Sequence, residues 1–503
     1  MSRILEAGRN AWALEPIEHA GVLIDACDYY RAFYQAMSGA KHYALLAGWQ
    51  FDSDVRLLRG PDAAGAPWPV ELLPFMEALC RERPELRIYV LAWDYSVVYT
   101  FEREWMQRLK FDFGTSDHIR YVLDGEHPVG ASHHQKLVVV DGRIAFVGGA
   151  DLCDGRWDDR SHSSVNVERV NRYGDPYKPY HEVIAYVTGA KAIARLEETF
   201  RDRFQRASGE PLVLPVPDAG DPPSPPVFEG ALPLDADVTA IARTYPARDT
   251  DASEAAVKEI RHLYEDAIGS AERLIYIETQ YITSHAIHDA LVARLRDDTK
   301  PKLVLVLVVP HGSDTLKEEL VLGAAESRLL ASVERVAKET GHALRVLFSA
   351  PSDASPRSPP TFVHSKLLVV DDSFLTIGSA NCTNRSFSID SELNLAWECD
   401  SRRAGLRKDI ARLRASLLSE HAGIDHDVRF EDIDGLVPLI DELLAAGSRL
   451  RARQMPDDAE PLTVMQLAFD PEGPLLQSAL DEFLGQRRVT VDEGVEVDST
   501  PDA

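Results

Sequence analysis

Positive charge is scarce in this chain. Lys and Arg number 54 against 81 Asp and Glu, a formal net charge of −27 over 503 residues. A protein that coats DNA or RNA needs a basic face, so this balance argues against a nucleic-acid partner. It also removes long-range attraction to an anionic membrane, while leaving room for a locally basic cleft. Cysteine is scarce as well. Cys27, Cys80, Cys153, Cys382 and Cys399 are odd in number and never at C-x-x-C spacing, so neither a disulfide framework nor a zinc site is suggested. A reducing compartment is the simpler expectation. Long apolar runs are missing too. The most apolar stretch, "LVLVLVVP" at 303–310, is too short to span a bilayer, and "MSRILEAGRNAWALEP" has no apolar h-region of a secretory leader. The expectation is a cytoplasmic or peripheral membrane protein with no signal peptide and no transmembrane segment.

What the chain does have is a core's worth of apolar residues, 45% of the total, and an internal repeat. "HQKLVVVD" begins at 134 and "HSKLLVVD" at 364, and Tyr43 and Arg273 each stand 91 positions ahead of these histidines. Matching apolar strand candidates run through both copies: "HYALLAGWQFDSD" (42–54) with "RLIYIETQYITS" (273–284), "LRIYVLAWD" with "KLVLVLVVP", "HIRYVLDG" with "LRVLFSA", "RIAFVGGADL" with "SFLTIGSANC", and "EVIAYVTG" with "ELNLAWEC". Apolar spacing of three and four predicts helices over 70–83, 192–204 and 253–271, and a further amphipathic helix over 435–454. Strands alternating with helices read as α/β. The expected division is residues 1–207 for a first half, a Pro-rich linker over 208–235, 236–425 for a second half, and 426–503 for a helical extension whose acidic end, 491–503, reads as disordered.

One His-x-Lys-x4-Asp string would pass as an ordinary strand with a polar edge. Two do not. The residues between Lys and Asp are apolar, so the element is core, and His and Lys two apart face the same way. Burying such a pair costs several kcal/mol unless each is partnered, and a repeated fold needs only the apolar pattern. Lysine is a poor metal ligand and no G-x-S-x-G elbow occurs. Two histidines and two lysines suit a phosphodiester instead. The lysines hold non-bridging oxygens as charge grows. One histidine attacks phosphorus, and the other protonates the leaving oxygen and then deprotonates the acceptor. That chemistry calls for no metal and no cofactor.

His134, Lys136 and Asp141 followed by "GGADL", and His364, Lys366 and Asp371 followed by "GSANC", resemble the duplicated H-x-K-x4-D and G-[GS] elements of the phospholipase D superfamily. The continuations "GGADLCDGRWDDRSH" and "GSANCTNRSFSIDSELNL", and the strand "YIETQYI" at 276–282, are similar to the phospholipase D enzymes proper of the eukaryotic-like type. The resemblance spans roughly residues 40–400. It implies two pseudo-twofold related α/β/α sandwich halves, each a mixed β-sheet flanked by helices, in one bilobal fold. It implies His134 as nucleophile, His364 as general acid then base, and Lys136, Lys366 and Asn381 on the phosphate oxygens. Asp141 and Asp371 would fix the strand ends. Glu182 and Glu392 would each orient the histidine of their own half. Gly149, Asp151 and Ser379 complete the expected substrate-binding set, Asp151 either turning away from the anion or holding another group. Trp49, Trp93 and Trp157 line the mouth or pack the core, and His133 faces away from the site. The implied activity is hydrolysis of a glycerophospholipid at a membrane surface by a monomer, with water or an alcohol as acceptor. The rivals are a superfamily nuclease, a cardiolipin-synthase-like phosphatidyltransferase, and an inactive lipid- or phosphate-binding scaffold.

Overall fold

The computed structural model describes residues 3–94, 117–128, 130–215, 227–247, 256–312, 322–351, 359–399, 404–454 and 470. The strands of the first part are β1 (Ala13–Pro16), β2 (His19–Ile24), β3 (Tyr43–Gly48), β4 (Arg87–Trp93), β5 (Ile119–Asp124), β6 (Leu137–Val140), β7 (Ile144–Gly148), β8 (Tyr180–His181) and β9 (Val183–Thr188). Those of the second are β10 (Leu232–Leu234), β11 (Val238–Tyr245), β12 (Val257–Lys258), β13 (Leu274–Glu278), β14 (Val304–Val308), β15 (Ala343–Ser349), β16 (Phe362–Val363), β17 (Leu367–Val370), β18 (Phe374–Gly378), β19 (Glu392–Glu398) and β20 (Leu450–Ala452).

Among the described residues, two large sheets form beside a two-stranded one (β16 with β8), and the middles of the large sheets match strand for strand. One runs β2-β9-β7-β6-β3-β4-β5 and the other β11-β19-β18-β17-β13-β14-β15. Both are mixed: β3-β4-β5 and β13-β14-β15 pair in parallel, the rest antiparallel. The buried β-branched runs "LVVV" and "LLVV" form β6 and β17 at matching places. The register refines the repeat by one residue. Ala44 lies opposite Val140, while Ile275 lies opposite Val370, so Tyr43 corresponds to Leu274 and not to Arg273.

The edges are exchanged between halves. β1, at the head of the first half, pairs antiparallel with β11 of the second sheet, Ala13 against Ile241. β10, at the head of the second half, pairs with β2 of the first sheet, Leu234 against Ala20. Residues 232–234, expected within the linker, are therefore a strand of the first sheet.

Helices cover both faces of each sheet. Asp25–Ser38 (α1), Gly60–Ala64 (α2), Leu72–Glu82 (α3) and Ala190–Ser208 (α4) belong to the first half; Glu259–Ser270 (α5), His285–Arg296 (α6), Ala324–Thr340 (α7), Ala404–Ala422 (α8) and Leu436–Ala445 (α9) to the second. One core is shared across the halves. It joins Leu137, Val139, Val147 and Ala185 to Leu367, Val369, Ile377 and Leu395, with Phe200 of α4 and Leu413 of α8 packed into the same cluster. The sequence pattern predicts one helix over 435–454, but α9 stops at Ala445. Gly447 adopts φ +72°, a left-handed conformation that ends helices, and the chain turns into β20 on the edge of β15. The acidic stretch 491–503 lies outside the described residues.

Candidate active site

The two motif aspartates secure the turns that follow β6 and β17. Asp141 accepts the backbone N–H groups of Lys41, His42 and Tyr43 at 2.7, 2.8 and 2.8 Å. Asp371 accepts those of Glu272, Arg273 and Leu274 at 2.8, 2.8 and 2.7 Å. Both sit at positive φ, +50° and +54°, a conformation that short polar side chains tolerate. These carboxylates hold backbone and do not face the reacting group.

The segment ahead of each motif strand crosses to the other half. His134 N–H donates to Ser391 O at 2.9 Å, and Ser391 N–H to Ser132 O at 2.9 Å. In mirror fashion β16 pairs with β8, and His364 N–H donates to His181 O at 2.9 Å. This lacing decides which carboxylate meets which histidine. Glu392 receives His134 Nδ1 at 3.0 Å from both oxygens, and Glu182 receives His364 Nδ1. The expectation that each glutamate serves its own half is thus corrected. Glu182, between β8 and β9, and Glu392, which starts β19, lie where the opposite half's histidine crosses over.

The lysines share this neighbourhood. Lys136 Nζ donates to His134 O at 3.1 Å and lies 3.3 Å from Asp151 Oδ2. Lys366 Nζ donates to His364 O. Burial holds both histidines well below their usual range, helped by Lys136 and Lys366 on each, so the ligand-free site carries neutral imidazoles. Burial pushes Glu182 and Glu392 up to about 8 and Lys366 down to about 7. An anion entering between the lysines would bring Lys366 and both histidines back toward their charged forms, because it favours every cationic form near it.

The halves differ at three matching positions. Ser379 donates to Glu392 Oε2 at 2.5 Å. Its counterpart Gly149 has no hydroxyl to give, and a Cβ there would meet Glu182 Oε2 at 2.7 Å. Ser386 donates to Glu392 Oε1 at 2.7 Å. Its counterpart is Arg156, whose charge acts on both Glu182 and His364 and whose guanidinium donates to Tyr180 OH at 2.7 Å. Asp151 accepts Trp49 N–H at 2.8 Å besides pairing with Lys136, so it holds other groups. Its counterpart Asn381 keeps a buried Oδ1 with no partner. Glu392 is therefore saturated, whereas Glu182 Oε2 is buried without a hydrogen-bond partner.

Ser379 and Gly149 shape the carboxylate sites, a role the expected substrate-binding set does not describe. Arg156, Ser386 and Tyr180 went unread in the sequence. Their only signal is equivalence, since Arg156 and Ser386 stand as far apart as the two motif histidines. His133 lies on the far side, between Ser391 Oγ at 2.8 Å and Asp124 at 3.1 Å. Trp93 and Trp157 are buried; Trp49 is half-buried with its ring 5.5 Å from that of Trp93.

Comparison with known proteins points the same way. Residues 264–413 match the family model described as "Cardiolipin synthase, PLD-like domain". Phospholipase D alpha 1 of Vigna unguiculata is 24% identical over 78% of this chain and 64% of its own length. Phospholipase D A of Dictyostelium discoideum is 24% identical over 74% of this chain and 32% of its own. The chain thus spans less than two thirds of these relatives. The crystal structure of phosphatidylserine synthase from Haemophilus influenzae superposes with a TM-score of 0.53 at 12% identity, covering 95% of this chain and 96% of that one, a likeness of fold. With the duplicated motif, matching sheets and a histidine–lysine pair from each half meeting at one site, the chain belongs to the phospholipase D superfamily.

Proposed function

We propose that the protein is a phospholipase D-type phosphodiesterase that moves the phosphatidyl group of a glycerophospholipid to water or an alcohol through a phosphohistidine. His134 is held at Nδ1 by the carboxylate of Glu392, which fixes the tautomer with its lone pair on Nε2. Nε2 attacks phosphorus and the P–O bond to the head group breaks. His364 gives its proton to the departing oxygen, then takes one from the acceptor, whose oxygen displaces His134. Lys136 and Lys366 carry the phosphate's charge, and Asn381 supplies a neutral dipole where Asp151 is neutralised by Lys136.

The observation that carries this reading is the crossed pair of His–Glu contacts, which makes each half's chemistry depend on the other. Transfer to an alcohol is a second reading, favoured by the fold likeness to a phosphatidylserine synthase. Incubation with mixed phospholipids and ethanol, followed by mass spectrometry, tests both. Phosphatidic acid is expected from hydrolysis and phosphatidylethanol from transfer. Neither product, with cleavage of DNA instead, would favour a nuclease. Full activity in His134→Ala would end the mechanism.

A further inference from the structure

Behind the reacting histidines lies a second cluster that the mechanism does not use. Asp25 at the start of α1, His162, His181 of β8, and Glu420 of α8 are all buried, and one ligand-type atom from each lies within 4.8 Å of all the others. His162 Nε2 is 3.1 Å from Glu420 Oε1 and 3.4 Å from Asp25 Oδ2. His181 Nδ1 is 2.7 Å from Glu420 Oε1 and 3.1 Å from Asp25 Oδ1. Metal–ligand bonds of 2.0–2.2 Å in a tetrahedron put ligand atoms about 3.3–3.6 Å apart, so a slight expansion would admit an ion.

The outward faces of the same rings fit this reading. His162 Nδ1 lies 2.8 Å from Asp158 Oδ2 and His181 Nε2 lies 3.0 Å from Glu278 Oε2. Ligating histidines show this arrangement, the far N–H given to a carboxylate and the near lone pair turned to the metal. A second, independent observation points inward. Asp25 Oδ2 is buried and accepts no hydrogen bond. There is also a way in. A solvent-open cavity of about 630 Å³, lined among others by Arg160, His162, Ser416, Glu420 and Arg449, has two of the four residues in its wall.

We propose that Asp25, His162, His181 and Glu420 form a structural site for a zinc-class divalent cation. Two nitrogens and two carboxylate oxygens suit such an ion. Three ligands come from the first half and Glu420 from the second, so the ion ties the halves together one residue behind Glu182. It takes no part in the reaction. The competing occupant is protons: burial opposes charge on His162 and His181, but the surrounding carboxylates raise both, His162 to about 9.

The test is metal content by inductively coupled plasma mass spectrometry, with thermal unfolding, on the full chain after purification without chelator. One equivalent of bound zinc is expected after equilibration with Zn2+, with a fall in melting temperature on chelation that Zn2+ alone reverses. The equivalent should persist in the His134→Ala/His364→Ala double variant, which removes the reacting histidines as ligands. It should be lost in His162→Gln, and Asp158→Asn should weaken binding about tenfold to hundredfold. If the variants fail to fold, chelation and re-addition on the wild-type and double-variant chains decide. Wild-type protein that stays metal-free in Zn2+, with an unchanged melting temperature, assigns the cluster to protons and overturns the proposal. So does zinc that disappears with the reacting histidines.

Discussion

Replacing Glu392 with glutamine isolates the crossed contact. The glutamate lies fully buried, 3.0 Å from His134 Nδ1, and accepts from Ser379 and Ser386. Burial raises Glu392 to about 8, so the comparison is made above that pH, where the carboxylate only accepts, enforces a proton on Nδ1 and frees Nε2. A glutamine amide has a donor face. With two serine hydroxyls competing for its single oxygen, its NH2 turns to Nδ1 and the ring proton moves to Nε2, where it blocks attack. The anion also supports the imidazolium-like charge that grows on His134. A unit pair near 4 Å at an effective dielectric of 20 is worth about 4 kcal/mol, or roughly 10³ in rate. The assay uses a phosphodiester with a p-nitrophenolate leaving group, which departs without a proton. Rapid quench at alkaline pH and peptide mapping then locate the phosphohistidine. Glu392→Gln should form it on His134 about 10³-fold more slowly. Glu182→Gln should form it at near wild-type speed and accumulate it, because His364 then fails to activate water. Phosphorylated His134 that accumulates in Glu392→Gln would refute the crossed assignment, and mapping separates that result from exchanged histidine roles.

Three further outcomes are expected. Gly149→Ser should reduce kcat at least tenfold with the fold retained, since its Cβ would press on Glu182 Oε2 at 2.7 Å and Lys366 Cδ at 3.0 Å; steady-state kinetics beside circular dichroism checks this, and unchanged kcat would show that the glycine is not required. Glu182→Gln should gain stability relative to wild type as pH climbs from 5 to 8.5. The folded carboxyl titrates near 8 instead of its ordinary 4.5, so the folded state holds the extra proton and loses that contribution as pH rises through 8; urea midpoints at both ends of the range read it, and a pH-independent difference would contradict it. Asp372→Ala should cost about 3–5 kcal/mol in urea unfolding, because it removes the counter-ion that meets the buried Arg414 guanidinium at 2.8 and 2.7 Å and leaves that charge to the carbonyls of Phe430 and Glu431; a loss under 1 kcal/mol would count against this.

The sequence shows best what is local or repeated. The central strands of each sheet are legible from β-branched runs flanked by polar turns, and the site's four cationic or basic groups from the duplicated string. β2 and β11 carry no motif and leave no mark in the sequence, although each receives the edge strand of the opposite half. The exchange of β1 and β10 is a tertiary choice that no local pattern records. The same holds for Glu182 and Glu392: their order along the chain says nothing of which histidine crosses to meet them. Arg156 and Ser386 show that equivalent places can hold unlike chemistry, visible only once the halves are superposed. His162, His181, Asp25 and Glu420 are scattered through the chain, and only folding brings them together.

The edge exchange bears on what a break in the chain would do. A single cut between residues 215 and 227 would release two pieces, each holding the strand that closes its neighbour's sheet. Neither piece alone could satisfy its outermost row of backbone groups, so each would expose a sticky margin. Mixed together, they would restore both margins at once and rebuild both His–Glu contacts in the same event. A nicked molecule would then be an obligate two-piece assembly whose activity follows the square of fragment concentration when dilute. The intact chain avoids that dependence by keeping its two handclasps on one thread.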